Sequence, residues 1–237
     1  MAILRGPSIV YDSLILLADP ANPKSNGGSA TMDDIHGTWS DTAQGTSSLT
    51  LSSSNPKHII NDGTGGSIIY SRSPYINWAL TNFTFCCWGK RTNHSDSRQG
   101  RMFDLTNAGN GHMRLTLAAT PSLVQRPSAG SGSTLISGGS TTAGNWYNIT
   151  VTKLGGESGG TAAYKLYING VEAASNSSSA LVTDSNFTYI RTMRSADDDQ
   201  PSISWLGDFG PLLVYDTVLS ADQVLQNFNA YKSRYNI

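Results

Sequence analysis

Retaining hydrolysis of a glycosidic bond needs two carboxyl groups about 5 Å apart, and this chain has only two glutamates, Glu157 and Glu172. Glu157 falls in the turn Gly155–Gly160, and Glu172 directly follows the pair Asn169-Gly170. Neither sits in a pattern that would bring it to a second carboxylate. Gly156-Glu157-Ser158-Gly159-Gly160 satisfies the G-x-S-x-G form of a nucleophile elbow. That elbow needs a strand before it and a helix after it, whereas here both flanks read as strands, so a flexible hairpin is expected. The four histidines, His36, His58, His94 and His112, are scattered without zinc spacing. No phosphate-cradling glycine loop is present. No catalytic residue is therefore expected.

Two groups of residues suit binding. Asp197-Asp198-Asp199 is the one acidic run, and loop carboxylates at a sandwich rim are suitable oxygens for calcium. Asp104 and Asp208 could add further oxygens if the fold brought them near. The plainer account of the run is a solvated loop. Among the tryptophans, Trp39, Trp78, Trp88, Trp146 and Trp205, Trp78 is the candidate for an exposed ring on which a sugar would stack. Its plainer account is packing at the rim. Calcium is the one cofactor considered.

These residues must be positioned by strands. Charged residues are only 14% of the chain and the net charge is −1, which excludes the basic footprint of a nucleic-acid binder. Gly is abundant, at 24 residues, and Ser, Thr and Asn separate short apolar runs, as expected of many strands joined by turns. Leu14–Ala18 is too short to span a membrane, and the first residues carry no apolar signal region. Manufacture in a cytoplasm follows as an expectation. The five Asn-x-Ser/Thr sequons, Asn82 and Asn148 among them, are then products of composition. Cys86 and Cys87 are adjacent, so on a strand they point to opposite faces and do not bridge. One buried thiol and one near the surface are expected.

Along the chain, strands are predicted at Ser13–Ala18, Ser48–Leu51, His58–Ile60, Ser67–Tyr70, Asn82–Lys90, Arg101–Leu105 and His112–Ala118. Further strands are predicted at Trp146–Leu154, Tyr164–Ile168, Val171–Ala174, Phe187–Met193, Ile203–Trp205 and Phe209–Tyr215, with a loop or hairpin around Thr134–Ser137. Asn82–Lys90 carries large apolar groups on both faces and belongs in the middle of a sheet. Asn169-Gly170 tolerates the positive φ of a type I′ turn. Ser220 and Gln223 form a capping box, and Val224, Leu225, Phe228, Tyr231 and Tyr235 follow at helical spacing. The prediction is an all-β, two-sheet antiparallel jelly-roll sandwich with a short C-terminal helix, preceded by an N-terminal arm at residues 1–9, with residues 10–237 as one domain.

Five segments resemble the laminin-G/concanavalin A-like superfamily in order and spacing. They are Phe83-Thr84-Phe85-Cys86-Cys87-Trp88, Gly144-Asn145-Trp146, Leu166-Tyr167-Ile168-Asn169-Gly170, Leu213-Val214-Tyr215-Asp216 and Leu219-Ser220-Ala221-Asp222-Gln223-Val224. The match runs from about Leu80 to Tyr235. The glucanases of that superfamily carry their carboxylates as Glu-x-Asp-x-x-Glu, which is missing here. The opening, Asp19-Pro20-Ala21-Asn22-Pro23-Lys24-Ser25 with Trp39-Ser40-Asp41 after it, resembles laminin-G-type proteins of tailed bacteriophages, although Thr42-Ala43-Gln44-Gly45 departs from their usual continuation. The resemblance implies a non-enzymatic structural component of a phage virion, in the head or on the tail. Such a component would be a homo-oligomer or contact other virion proteins through the arm, with a cell-surface glycan as a further partner. The alternative is a lectin-like carbohydrate- or receptor-binding module.

Overall fold

A strand with apolar groups on both faces has to be covered on both, and the segment around Phe85 and Trp88 lies at the centre of the fold for that reason. A computed structural model of the chain describes residues 8–28, 30–45, 48–78, 81–93, 100–106, 112–126, 132–156, 160–179, 189–194 and 205–237. Its strands are β1 (Leu14–Ala18), β2 (Ser40–Gln44), β3 (Leu49–Leu51), β4 (Ile59–Asp62), β5 (Ser67–Ser71), β6 (Phe83–Arg91), β7 (Arg101–Thr106) and β8 (His112–Thr116). They continue as β9 (Ser122–Arg126), β10 (Ser133–Ser137), β11 (Tyr147–Gly155), β12 (Thr161–Ile168), β13 (Val171–Ser179), β14 (Tyr189–Thr192) and β15 (Leu206–Tyr215). Two helices are α1 (Pro23–Asn26) and α2 (Ala221–Tyr231).

The strands form the antiparallel two-sheet sandwich expected. One sheet has the order β13-β12-β11-β6-β15-β4-β3, with β1 also paired to β15, and the other has the order β10-β9-β8-β7-β14-β5-β2. Strand β6 is central, bonded to β11 and β15. Gly210-Pro211 sits at a register shift in β15 between Phe209 and Leu212. There pairing passes from β4 to β1, a suitable place for a residue that has no N–H to give the ladder. Phe85 and Phe103 stack across the two sheets with centroids 4.3 Å apart. Asn169 and Gly170 take φ of 51° and 79° in the β12–β13 turn, as that pair requires.

The middle of the outer face of the first sheet is covered. Helix α2 begins on the capping box, with the Gln223 amide donating to Ser220 Oγ and the Ser220 amide to Gln223 Oε1. It lays Val224, Phe228 and Tyr231 over Cys86, Trp88, Leu213 and Tyr215. Both cysteines are consequently buried, Cys87 between the sheets and Cys86 beneath the helix. The surface thiol expected from strand alternation is absent, because a second layer covers that face. Burial pushes the Cys86 thiol up to about 11 and Cys87 well above its usual value. Neither should react with a thiol-specific disulfide reagent at pH 8 in the native protein, and both should react in denaturant. Rapid labelling of either in the folded state would contradict this burial.

Ser8 and Ile9, the last two residues of the expected arm, lie on this same layer. Gln226 Nε2 donates to the Ser8 carbonyl at 2.8 Å, and the Val10 amide donates to Asn227 Oδ1 at 2.8 Å. Met1–Pro7, and with them the contact to another chain, lie outside the described residues. Strands β2 and β9 and helix α1 were missed in the sequence, since each is short and none shows a clean apolar period. Helix α1 is held by Asn22, whose side chain caps it by accepting from the Lys24 amide.

Lys153 is a buried cation at the end of β11. Its Nζ donates to the Thr81 carbonyl at 3.1 Å and stands 5.8 Å from the Phe83 ring centroid. Burial lowers its pKa from 10.5 to about 8. Between those two values the unfolded chain holds a proton on Lys153 that the folded chain has released, so the contribution of this group to stability rises with pH through that window. The buried thiols of Cys86 and Cys87 act in the opposite sense there, since they ionise in the unfolded chain first, so the lysine is read as a difference: the urea midpoint of the native protein should gain on that of Lys153→Met from pH 8 towards pH 10. A difference that stays constant across this window would show that Lys153 does not titrate in it.

Candidate functional site

The residues singled out in the sequence do not converge. Trp78 is a core residue, 1% exposed, with its ring 5.9 Å from Phe83 and 5.2 Å from Phe85. The expectation of an exposed sugar platform there is corrected: the two phenylalanines of β6 need a cover at the end of the core, and Trp78 supplies it. Trp205 is fully buried, and Trp146 is partly buried against the helix layer, in keeping with packing roles. Asp197, Asp198 and Asp199 lie outside the described residues, as do Glu157 and Ser158. The elements flanking Ser158, β11 and β12, are paired antiparallel strands. Asp104 lies on the second sheet and Asp208 on the first, so the two do not join one ion site. Asp208 is engaged by Lys90 at 2.5 Å and His58 at 3.4 Å.

Glu172 pairs with Lys165 at 2.8 Å on the surface. The carboxylates that do meet are Asp33 and Asp41, which share a side-chain hydrogen bond; burial, then the Asp33 charge, raises the Asp41 pKa. Neither lines a groove among the described residues. Asp34 nearby is fully used as a backbone clasp, accepting from the amides of Leu17, His36, Thr38 and Trp39. No group of three metal-binding side chains occurs among the described residues.

What the fold does create is a difference between its two outer faces. The central strands of the first sheet, β6 and β15, are covered by α2 and the Ser8–Val10 segment, whereas β12 and β13 keep Lys165 and Glu172 in solvent. The second sheet turns Phe103, Leu105, Met113, Leu115, Leu123 and Ile190 into the core, and alternation puts the residues between them on its outer face. There Arg114 stands opposite Asp104, which stands opposite Arg191 on the next strand. Arg101, opposite Thr116, approaches Asp104 at 3.5 Å. Asp104 is 0% exposed and Arg101 nearly buried, so this ion pair is shielded from solvent.

Beside this row, strands β8, β9 and β10 line an open groove of about 420 Å³ with Arg114, Thr116, Ser122, Val124 and Thr134. The Thr116 and Ser122 hydroxyls are bonded to each other at 2.8 Å. A volume of this size is within the usual range of small-molecule sites, about 300–1,000 Å³. The lining offers a guanidinium, hydroxyls and the aliphatic side chains of Ala118 and Val124, a set that can bind and orient a polar ligand. It holds no carboxylate pair and no nucleophile–base pair.

A second groove, of about 400 Å³, lies at the rim against Lys90, Asn145, Trp146, Asn169 and Tyr235. Its tryptophan is already occupied. Tyr235 packs at 4.3 Å from it, Lys90 Nζ lies 5.7 Å over the ring, and His58 meets it edge-on at 5.4 Å. The arginine row of the second sheet was missed in the sequence. The alternation of Met113, Leu115 and Leu117 does place Arg114 on an outer face, but its neighbours depend on strand register.

A family model described as the concanavalin A-like lectin/glucanases superfamily matches residues 61–225. Among curated proteins, none matches the chain by sequence. Among solved structures, it is similar to the binding domain of botulinum neurotoxin DC in complex with SialylT (14% identity, TM-score 0.65, covering 92% of this chain and 52% of that one). It is also similar to the binding domain of Paraclostridial Mosquitocidal Protein 1 (20% identity, TM-score 0.62, 93% and 52%). The binding domain of botulinum neurotoxin DC in complex with rat synaptotagmin II compares in the same way (14% identity, TM-score 0.64, 92% and 52%). The chain spans about half the length of these binding domains, and at such identities the likeness is one of fold.

Proposed function

The chain belongs to the concanavalin A-like lectin/glucanases superfamily, and from that premise we propose that it is a lectin-like recognition module without catalytic activity, which takes its ligand on the outer face of the second sheet. The observation that carries this reading is the contrast between the centre of the first sheet, which α2 covers, and a second sheet with a polar groove at β8–β10. Solved structures of similar fold that are themselves binding domains, one of them in complex with SialylT, support the choice of recognition over catalysis.

The phage setting rests on the resemblance of Asp19–Ser25. That segment also has work inside the fold. Asp19 accepts from Arg234 at 2.7 Å and from the Ala21 amide, and Ser25 Oγ receives the Asp19 amide and donates to the Asp33 carbonyl. These bonds tie β1 to the chain end that follows α2. They account for the segment without a virion, so the lectin reading comes first.

The test is a glycan array probed with the labelled full chain, together with reducing-sugar assays on β-glucans, agar and carrageenan. Retention on a defined set of glycans with no sugar release is the expected result. Hydrolysis abolished by mutating one carboxylate would overturn the non-catalytic reading, and silence across glycans would overturn the lectin reading.

A further inference from the structure

Resting on that reading, we propose that the groove at β8–β10 recognises a vicinal diol of a saccharide, two hydroxyls on neighbouring ring carbons, through the paired hydroxyls of Thr116 and Ser122. Thr116 on β8 and Ser122 on β9 stand directly opposite each other in the ladder, and both line the groove. Thr116 is the deeper of the two, 4% exposed, and Ser122 is half-buried. Their hydroxyl oxygens are 2.8 Å apart, close to the spacing of gauche oxygens on neighbouring carbons of a pyranose ring. Ser137 on β10 stands opposite Ser122 and extends the hydroxyls to a third strand.

Each hydroxyl carries one proton and two lone pairs. Thr116 Oγ1 has two acceptors within reach, Ser122 Oγ at 2.8 Å and the Ser122 carbonyl at 3.2 Å. When Thr116 donates to Ser122 Oγ, the Ser122 proton is free for the groove and Thr116 Oγ1 keeps a lone pair. The pair then offers one donor and one acceptor side by side. A vicinal diol is the complement: one sugar hydroxyl accepts from Ser122 and its neighbour donates to Thr116. The three hydrogen bonds run in one direction, from sugar to Thr116 to Ser122 and back to sugar, so each polarises the next. An isolated hydroxyl meets only half of this arrangement. Both residues belong to the strand ladder, so their spacing is set before a ligand arrives, which lowers the ordering cost of binding. Ala118 and Val124, also in the lining, offer apolar surface to ring C–H groups. No aromatic side chain lines this groove among the described residues, so nothing there stacks on a base. That favours a saccharide over the ribose of a nucleoside as the source of the diol.

The experiment titrates the full chain with maltohexaose and mannohexaose, whose linkages leave two neighbouring hydroxyls free on every sugar. Laminarihexaose, whose linkage leaves no such pair on its internal sugars, and adenosine are titrated beside them. One or both of the first two should bind at least about fivefold more tightly than laminarihexaose, the scale of two net hydrogen bonds. Treating the better ligand with periodate and then borohydride, which opens the ring between neighbouring hydroxyls, should remove that preference without any change to the protein. Ser122→Ala should remove it too, and Thr116→Ser, which keeps the hydroxyl, should retain most of it. If laminarihexaose binds as tightly as the other two and Ser122→Ala changes nothing, the diol assignment is overturned while the lectin reading stands. A loss on Ser122→Ala that is equal for all three sugars overturns the diol assignment as well. If no oligosaccharide binds, both fall. Tighter binding of adenosine than of any sugar would overturn the saccharide assignment.

Discussion

Trp88→Ala should cost about 3–5 kcal/mol, the range for truncating a fully buried large aromatic. Trp88 is 1% exposed and is the point at which the C-terminal layer grips the central strand. Phe228 lies parallel to it at 5.7 Å and 7°, Tyr235 stacks at 4.8 Å, and Tyr231 meets it at 6.1 Å and 60°. Removing the indole takes the common partner from three rings at once and opens a cavity under α2 that Gly210 cannot fill. The variant should lose several degrees or more in melting temperature. It should also become more cleavable between β15 and α2, because the helix loses its main aromatic contact with this face. If Trp88→Ala melts like wild type, α2 is an appendage and the sandwich stands without it.

Asn227→Leu should cost about 1–3 kcal/mol, the range for stranding one buried group, here the Val10 amide. Asn227 faces inward from α2. Its Oδ1 accepts from the Val10 amide at 2.8 Å and its Nδ2 donates to Tyr215 Oη at 2.9 Å. Tyr215 Oη in turn donates to the Val10 carbonyl at 2.9 Å. One amide thus joins the segment before β1, the strand β15 and the helix. In a leucine variant the buried Val10 amide loses its partner, and the Tyr215 hydroxyl keeps only its bond to the Val10 carbonyl. The check is a double-mutant cycle with Tyr215→Phe followed by urea unfolding. The two changes should cost clearly less together than the sum of each alone, because they break a shared network. Strict additivity would mean that the network contributes nothing beyond packing.

Several elements were readable because a local rule decides them. The spacing of Phe83, Phe85 and Cys87 against Thr84, Cys86 and Trp88 demands cover on both faces, and β6 is central as a result. Asn169-Gly170 is a type I′ signal that needs only its own backbone. Gly170 is further fixed by the approach of Phe228, within 3.1 Å of where a Cβ would stand. Ser220 and Gln223 start a helix wherever an apolar stripe follows. Trp78 was misplaced because its surroundings in sequence, Ile76-Asn77-Trp78, say nothing about how deeply the chain turns inward after β5.

What the amino-acid order determined by itself is the all-β class, the central strand, the capped C-terminal helix and the lack of a glucanase carboxylate motif. Each of these follows from residue types within a few positions of one another. The tertiary structure alone decided which face would be free. One of the two cysteines was expected near the surface because alternation gives only the side of a strand, and only the docking of α2, over a hundred residues further on, covers the Cys86 side. The arginine row was equally hidden. Arg101 and Arg114 come from the consecutive strands β7 and β8 and Arg191 from the distant β14, and register, which no local pattern encodes, places them beside Asp104. Pairing across strands is the physical step that brings guanidiniums from separate segments to one carboxylate.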